Sequence, residues 1–252
     1  MPDFSEAFVA SIAFALNSAQ IPCLLWGHYL LNVHGVPSAI ASIDFVIPDK
    51  SMLPAIQVLS HIDSLLACKD VKLCSTSSSS RPTPPPTFHA HIKSLEVTVC
   101  LYLQSETLWF LPPLDTSLAS PTGKELPSPF ALASDQTILP PWRPGRGSGS
   151  FKPGYHPVIV PKSHILLEAF MLLYARDWEK RIGDFAMAMI AYIELYVDED
   201  GLLEKERLPE PLLTFYKELG RGEKPVLQWS EELTGAVSAL GNFTFMSQPS
   251  NL

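Results

Sequence analysis

Apolar residues Phe8, Val9, Ile12, Ala13 and Leu16 recur at helical spacing, which predicts a helix from Ser5 to Gln20 with Ser5 as its N-cap. "PCLLW" then reads as a short buried strand closed by Gly27. His28 to His34 reads as a short helix ended by Gly35. "SIDFVIP" is a second strand, stopped by Pro48, with Asp49 capping a helix over Lys50 to His61 and "VKLC" as a further short strand. The order helix, strand, helix, strand, helix predicts an α/β layer rather than a bundle.

Polar punctuation divides the rest. "STSSSSRPTPPPT", Ser75 to Thr87, has too little apolar content to build a core and reads as a surface loop between sheet elements. "FHAHIKSLEVTVCLYL" alternates well enough for one or two strands, and "LWFLPPL" for another. Positions 112 to 161 are rich in Pro and Gly. Their centre, "PPWRPGRGSGSFKPG", lacks the Gly-Lys-Ser/Thr of a phosphate-cradling loop, although Arg143 and Arg146 can face an anionic ligand there. "KSHILLEAFMLLYARD", Phe185 to Val197 and Leu208 to Leu219 predict helices, and the tail beyond Phe245 is expected to fray. "YVDEDGLLEKE" has its Gly too early for a calcium loop and reads as an acidic turn. The division expected is a mixed-sheet core over 1–111, a connecting region over 112–160 and a C-terminal helical extension over 161–245.

Composition narrows the function classes. With 46% apolar and 17% charged residues in 252, the chain is globular. A net charge of −8 without any Lys/Arg run excludes a general nucleic-acid surface. No apolar run reaches the roughly 18 to 20 residues of a membrane span, and the first twenty residues lack a basic leader, so an intracellular, cytoplasmic location is expected. Four cysteines are sparse for this length and are expected to be reduced. Cys23 and Cys100 lie in apolar runs, and Cys68 and Cys74 in "CKDVKLC" fall short of a zinc signature without a second Cys/His pair. His89 and His91 share one strand face and can supplement a metal site, or simply form a partly exposed pair.

A strand ending in Gly, a helix, and a second strand with a central acid together resemble the nucleotidyltransferase fold shared by kanamycin nucleotidyltransferase and poly(A) polymerases. "LLWGH" is similar to that family's Gly turn, "SIDFVI" to its Asp-apolar-Asp strand, and "SLEVTV" to the strand carrying a third carboxylate. The resemblance spans residues 5 to 103. A likeness to a large group of uncharacterised fungal proteins assigned to this fold extends to about residue 205.

The resemblance implies an α/β mixed sheet flanked by helices, and a site using Mg²⁺ and a nucleoside triphosphate. Alternate strand residues point to one face, so two carboxylates at i and i+2 plus a third hold two metal ions. Here Ser42 takes the first acidic position, Asp44 the second, and Glu96 is the candidate third. A hydroxyl is a poor Mg²⁺ ligand beside a carboxylate, which weakens two-metal catalysis. His28 replaces the small residue after Gly27, either blocking a phosphate or binding it. Three functions follow as expectations: a catalytically degenerate protein binding a small nucleotide-like ligand or a partner protein; an active transferase with Asp44 and Glu96 on one Mg²⁺ and His28 or Arg143 on phosphate; or the fold recruited to unrelated chemistry.

Overall fold

The computed structural model describes residues 5–78, 81, 83–93, 95–120 and 126–240; the tail expected to fray beyond Phe245 lies outside these. Helix α1 (Glu6–Ser18) starts where predicted, with the Ser5 side chain accepting from Phe8 N–H at 3.3 Å. Strand β1 (Leu24–Trp26) runs directly into α2 (Gly27–Val33). Gly35 ends that helix with φ +93°, a conformation that suits glycine. Strand β2 (Ser42–Ile47) follows, buried along its whole length, and α3 (Met52–Ser60) returns across the sheet.

Strands β3 (Leu65–Ala67), β4 (Phe88–Ile92) and β5 (Thr98–Leu103) form an antiparallel set on one flank. The strand thus falls at Leu65–Ala67, and "VKLC" is a turn instead. Asp70 explains the difference, because its carboxylate accepts from the N–H groups of Lys72 and Leu73 at 3.1 and 3.2 Å, an alternative to sheet pairing. "LWFLPPL" is likewise not a strand. The short helix α4 (Gln104–Thr107) precedes it, and the Gln104 amide takes over the chain's hydrogen bonds, donating to Pro112 O at 2.8 Å and accepting from Leu114 N at 2.9 Å.

The region predicted as a connecting loop adds two strands, β6 (Phe130–Leu132) and β7 (Ile159–Pro161). Three-residue strands beside prolines carry no readable alternation, and Pro161 sits at a strand end, where its missing N–H costs little. Among the described residues the sheet has seven strands in the order β3-β4-β5-β2-β1-β7-β6. Pairing is parallel for β5/β2 and β1/β7 and antiparallel elsewhere, so this is a mixed α/β sheet. Because β7 pairs directly with β1, the sheet joins the stretch expected as the core to the one expected as a connecting region.

The Gly-rich loop packs on the end of α2 rather than forming an open cradle. Gly147 and Gly149 donate to the carbonyls of Gly35 (2.8 Å) and Asn32 (3.0 Å), and a Cβ on Gly147 would overlap Asn32 and Val36 backbone. Nearby, buried His34 donates from Nε2 to Pro161 O at 2.9 Å, tying α2 to β7; burial lowers its pKa to about 4, so the ring stays neutral.

Helices α5 (Ser163–Asp177), α6 (Arg181–Ile193), α7 (Leu212–Arg221) and α8 (Val226–Ala239) complete the fold. Helix α5 is buried on nearly every side, the pattern of a helix sandwiched between a sheet and other helices. Helix α7 starts at Leu212, later than predicted, because Pro209 and Pro211 interrupt its first turn. The acidic turn after α6 is consumed internally: Asp198 holds Lys205 at 2.9 Å and Tyr216 at 3.0 Å.

Trp229 on α8 is 1% exposed and donates from its indole N–H to Phe215 O at 2.8 Å, while Ser230 bonds the Tyr174 hydroxyl of α5 at 2.6 Å. Trp229→Ala is therefore expected to cost about 3–5 kcal/mol, the range for truncating a large core aromatic. Urea unfolding of the variant and the parent chain measures it.

Candidate functional site

Strand β2 carries Ser42 and Asp44 on one face, as i and i+2 must be. Its antiparallel neighbour β1 places Trp26 opposite Asp44, and the parallel neighbour β5 places Cys100 opposite Asp44 and Thr98 opposite Ser42. The turn after β1 then bends back over this face. Gly27 has φ +64°, and a Cβ there would run into Asp44 Oδ2, so the turn requires glycine for both its conformation and its clearance.

A cleft of about 430 Å³ opens here, lined by Gly27, His28, Ser42 and Asp44 from the sequence reading, together with side chains it did not anticipate. One wall is aromatic: Trp26 stacks on Phe170 at 5.3 Å between centroids, Phe170 meets Phe185 edge-on at 6.0 Å, and His28 meets Phe185 at 5.6 Å. The opposite wall is the Ser/Pro tract, which supplies Arg81, Thr83, Pro84 and Pro85. That wall is anchored by Tyr102 OH donating to Pro84 O at 3.2 Å and Arg81 donating to Thr76 O at 2.6 Å.

Asp44 is 4% exposed. Burial pushes its carboxyl up to about 6, against the lowering effects of hydrogen bonds from Ser42 and Cys100 and of the Arg81 charge. Its Oδ1 is buried with no hydrogen-bond partner among the described residues. His28 is held below the ordinary imidazole range, first by burial and then by the Arg81 charge, and it bonds Ser38 Oγ through Nδ1. At neutral pH it offers the cleft an uncharged ring rather than a cation.

The other sequence candidates lie elsewhere. Glu96 is exposed in the turn before β5, and the β2/β5 register gives the place beside Asp44 to Cys100. Arg143 and Arg146 both grip Asp200, at 2.7 Å and at 2.8 and 3.1 Å, and Arg146 also covers the Tyr196 ring. They tie the Gly-rich loop to the turn after α6. Two cations outside the sequence reading, Arg176 and Lys180, reach the cleft but share Asp177 at 2.7 and 2.8 Å. Arg81 was legible as the single cation of a Ser/Pro tract, but nothing local to that tract signals that it folds over β2.

The β2/β5 row by itself does not supply the carboxylates of a two-magnesium centre. Beside its one carboxylate stand a serine hydroxyl, a threonine hydroxyl and a thiol, where hard cations select several carboxylate oxygens; the cleft's other carboxylates are Glu106 and Asp177, the latter paired with Arg176 and Lys180.

No protein-family model matches the chain, and no curated protein matches it. Among solved structures it is similar to the solution structure of the antibiotic-resistance factor ANT(2'')-Ia, with 10% identity, 95% of each chain covered and a TM-score of 0.35. No helix among the described residues is long and apolar enough to cross a membrane.

Two outcomes follow from the buried carboxyl. Because the folded protein keeps the Asp44 proton to higher pH than the unfolded chain, its contribution to stability is intact below the ordinary value of 3.8 and declines as pH rises to about 6. Asp44→Asn removes that decline, so the variant is expected to gain on the order of 3 kcal/mol over the parent at pH 7 and little at pH 4. Denaturant titrations at the two pH values test the sign. Gly27→Ala is expected to destabilise by at least ~1 kcal/mol through its positive φ, and further through displacement of Asp44, measured as a fall in the unfolding midpoint.

Proposed function

We propose that the chain is a nucleotidyltransferase-like protein that binds a small nucleotide-like ligand in this cleft without performing two-metal nucleotidyl transfer. The observation that carries the reading is the row Ser42, Asp44, Thr98, Cys100, which keeps one carboxylate where the resembled family needs three. The succession of β1, the Gly27 turn, α2 and the acid-bearing β2 supports the family likeness. The cleft's two ends suit such a ligand. Aromatic side chains Trp26, Phe170 and Phe185 offer flat apolar contact, while Arg81 offers a cation for an anionic group.

Isothermal titration with ATP, GTP, CTP and UTP, each with and without Mg²⁺, tests this. At least one nucleotide is expected to bind without Mg²⁺, and Arg81→Ala to weaken it about tenfold, the scale of one charge-assisted contact at ~1.4 kcal/mol. No pyrophosphate is expected to form. Pyrophosphate release that requires Mg²⁺ and disappears in Asp44→Asn would overturn the reading in favour of an active transferase.

A further inference from the structure

Beyond the cleft, the fold brings together four side chains that lie in two separate stretches of sequence. Cys68, Cys74, His89 and His91 each present one ligand atom, and all four atoms lie within 4.8 Å of one another. The geometry points to a tetrahedral zinc site of the Cys₂His₂ type, independent of whatever occupies the cleft.

Several features of the fold converge on it. The β3/β4 register pairs Leu66 with His91 and Ala67 with Ala90, so Cys68, one residue past β3, comes level with His89. The Asp70 turn reverses the chain and returns Cys74, whose N–H donates to Asp70 O at 3.1 Å. His89 and His91 project from one face of β4 with ring centroids 5.3 Å apart. Cys74 Sγ lies 3.2 Å from His89 Nε2 and 3.6 Å from His91 Nε2. Zinc bonds of about 2.3 Å to sulfur and 2.0–2.1 Å to nitrogen set ligand separations of about 3.3–3.8 Å in a tetrahedron, which these distances approach without rebuilding the backbone.

The chemistry of the set is selective. Two thiolates and two imidazoles suit zinc and disfavour magnesium or calcium, which take oxygen. Two thiolates also balance the dication, so the half-buried cluster is neutral when filled, and the two thiol protons leave to solvent on binding. Both histidines direct Nε2 inward. The remaining nitrogen of His89 faces Ser77 Oγ at 3.3 Å, the outer hydrogen bond that orients a metal-bound imidazole.

Four protein ligands leave no open position, so the ion is structural. Its place gives it a purpose. Cys74 and His89 bracket the Ser/Pro tract, and that tract carries Arg81, Thr83, Pro84 and Pro85 to the cleft. The metal clamps both feet of a loop that has no apolar core of its own, fixing the wall that holds Arg81 over Asp44.

The test uses the full chain purified under reducing conditions without chelator, incubated with ZnCl₂ and desalted. Elemental analysis is expected to give about one zinc per chain, and cobalt substitution a thiolate-to-cobalt charge-transfer band with the intense visible bands of a tetrahedral centre. Cys74→Ser and His91→Asn are expected to lower zinc affinity at least ~100-fold, exceeding the 10- to 100-fold typical of outer-shell changes. Removing the metal from the unaltered chain is expected to speed proteolysis within residues 75–87 about tenfold or more. The inference is overturned if the unaltered chain retains under about one tenth of an equivalent of zinc, if Cys68 and Cys74 form a disulfide in the reduced preparation, or if Cys68→Ser/Cys74→Ser keeps full stoichiometry.

Discussion

The close approach of the Gly27 backbone to the Asp44 carboxyl is the constraint around which the rest of the molecule is arranged. For the turn after β1 to lie over β2, residue 27 must have a positive φ and no side chain. Asp44 is buried at this approach, and its desolvation raises its pKa. The approach also sets the direction of α2, whose far end receives the Gly-rich loop and, through His34, the edge of β7. One backbone conformation thus links the central strand, the cleft and the outer flank of the sheet.

Burying a carboxyl in this way opposes stability, and the surrounding groups reduce the cost only in part. Ser42 and Cys100 hydrogen-bond Asp44 and Arg81 adds a favourable charge, yet desolvation remains the largest effect and one oxygen stays unpaired. A structural carboxylate is normally fully bonded when buried. Among the described residues Asp44 Oδ1 departs from that rule, while the residue as a whole borders the 430 Å³ cleft.

The two walls of the cleft differ in how they are held. The aromatic wall belongs to β1, α5 and α6 and is rigid because those elements pack into the core. Among the described residues the Ser/Pro wall is held by point attachments: Pro84 on Tyr102, Arg81 on Thr76, and the Cys/His cluster at its two feet. A metal clamp is the economical solution for a segment that cannot bury a core. It places the cleft's cation under the control of residues that do not line the cleft.

What the sequence determined by itself was much of what depends on near neighbours along the chain, the Asp70 turn excepted. The Ser5 cap, the Gly27 turn, and the common face of Ser42 and Asp44 follow from spacing, because helix and strand periods are local properties, whereas Asp49, read as a cap, instead accepts from the distant Ser105 N–H at 3.1 Å. Tertiary structure alone decided which strands lie side by side. The β2/β5 register put Cys100 rather than Glu96 beside Asp44, and Arg143 and Arg146 found Asp200 more than fifty residues away. Strands β6 and β7, too short to show alternation, join the sheet only because β1 offers β7 a parallel edge. The cysteine pair at 68 and 74 and the histidine pair at 89 and 91 are each ambiguous alone. They become one site when β3 and β4 align, since ligand geometry depends on distances in space that spacing along the chain does not encode.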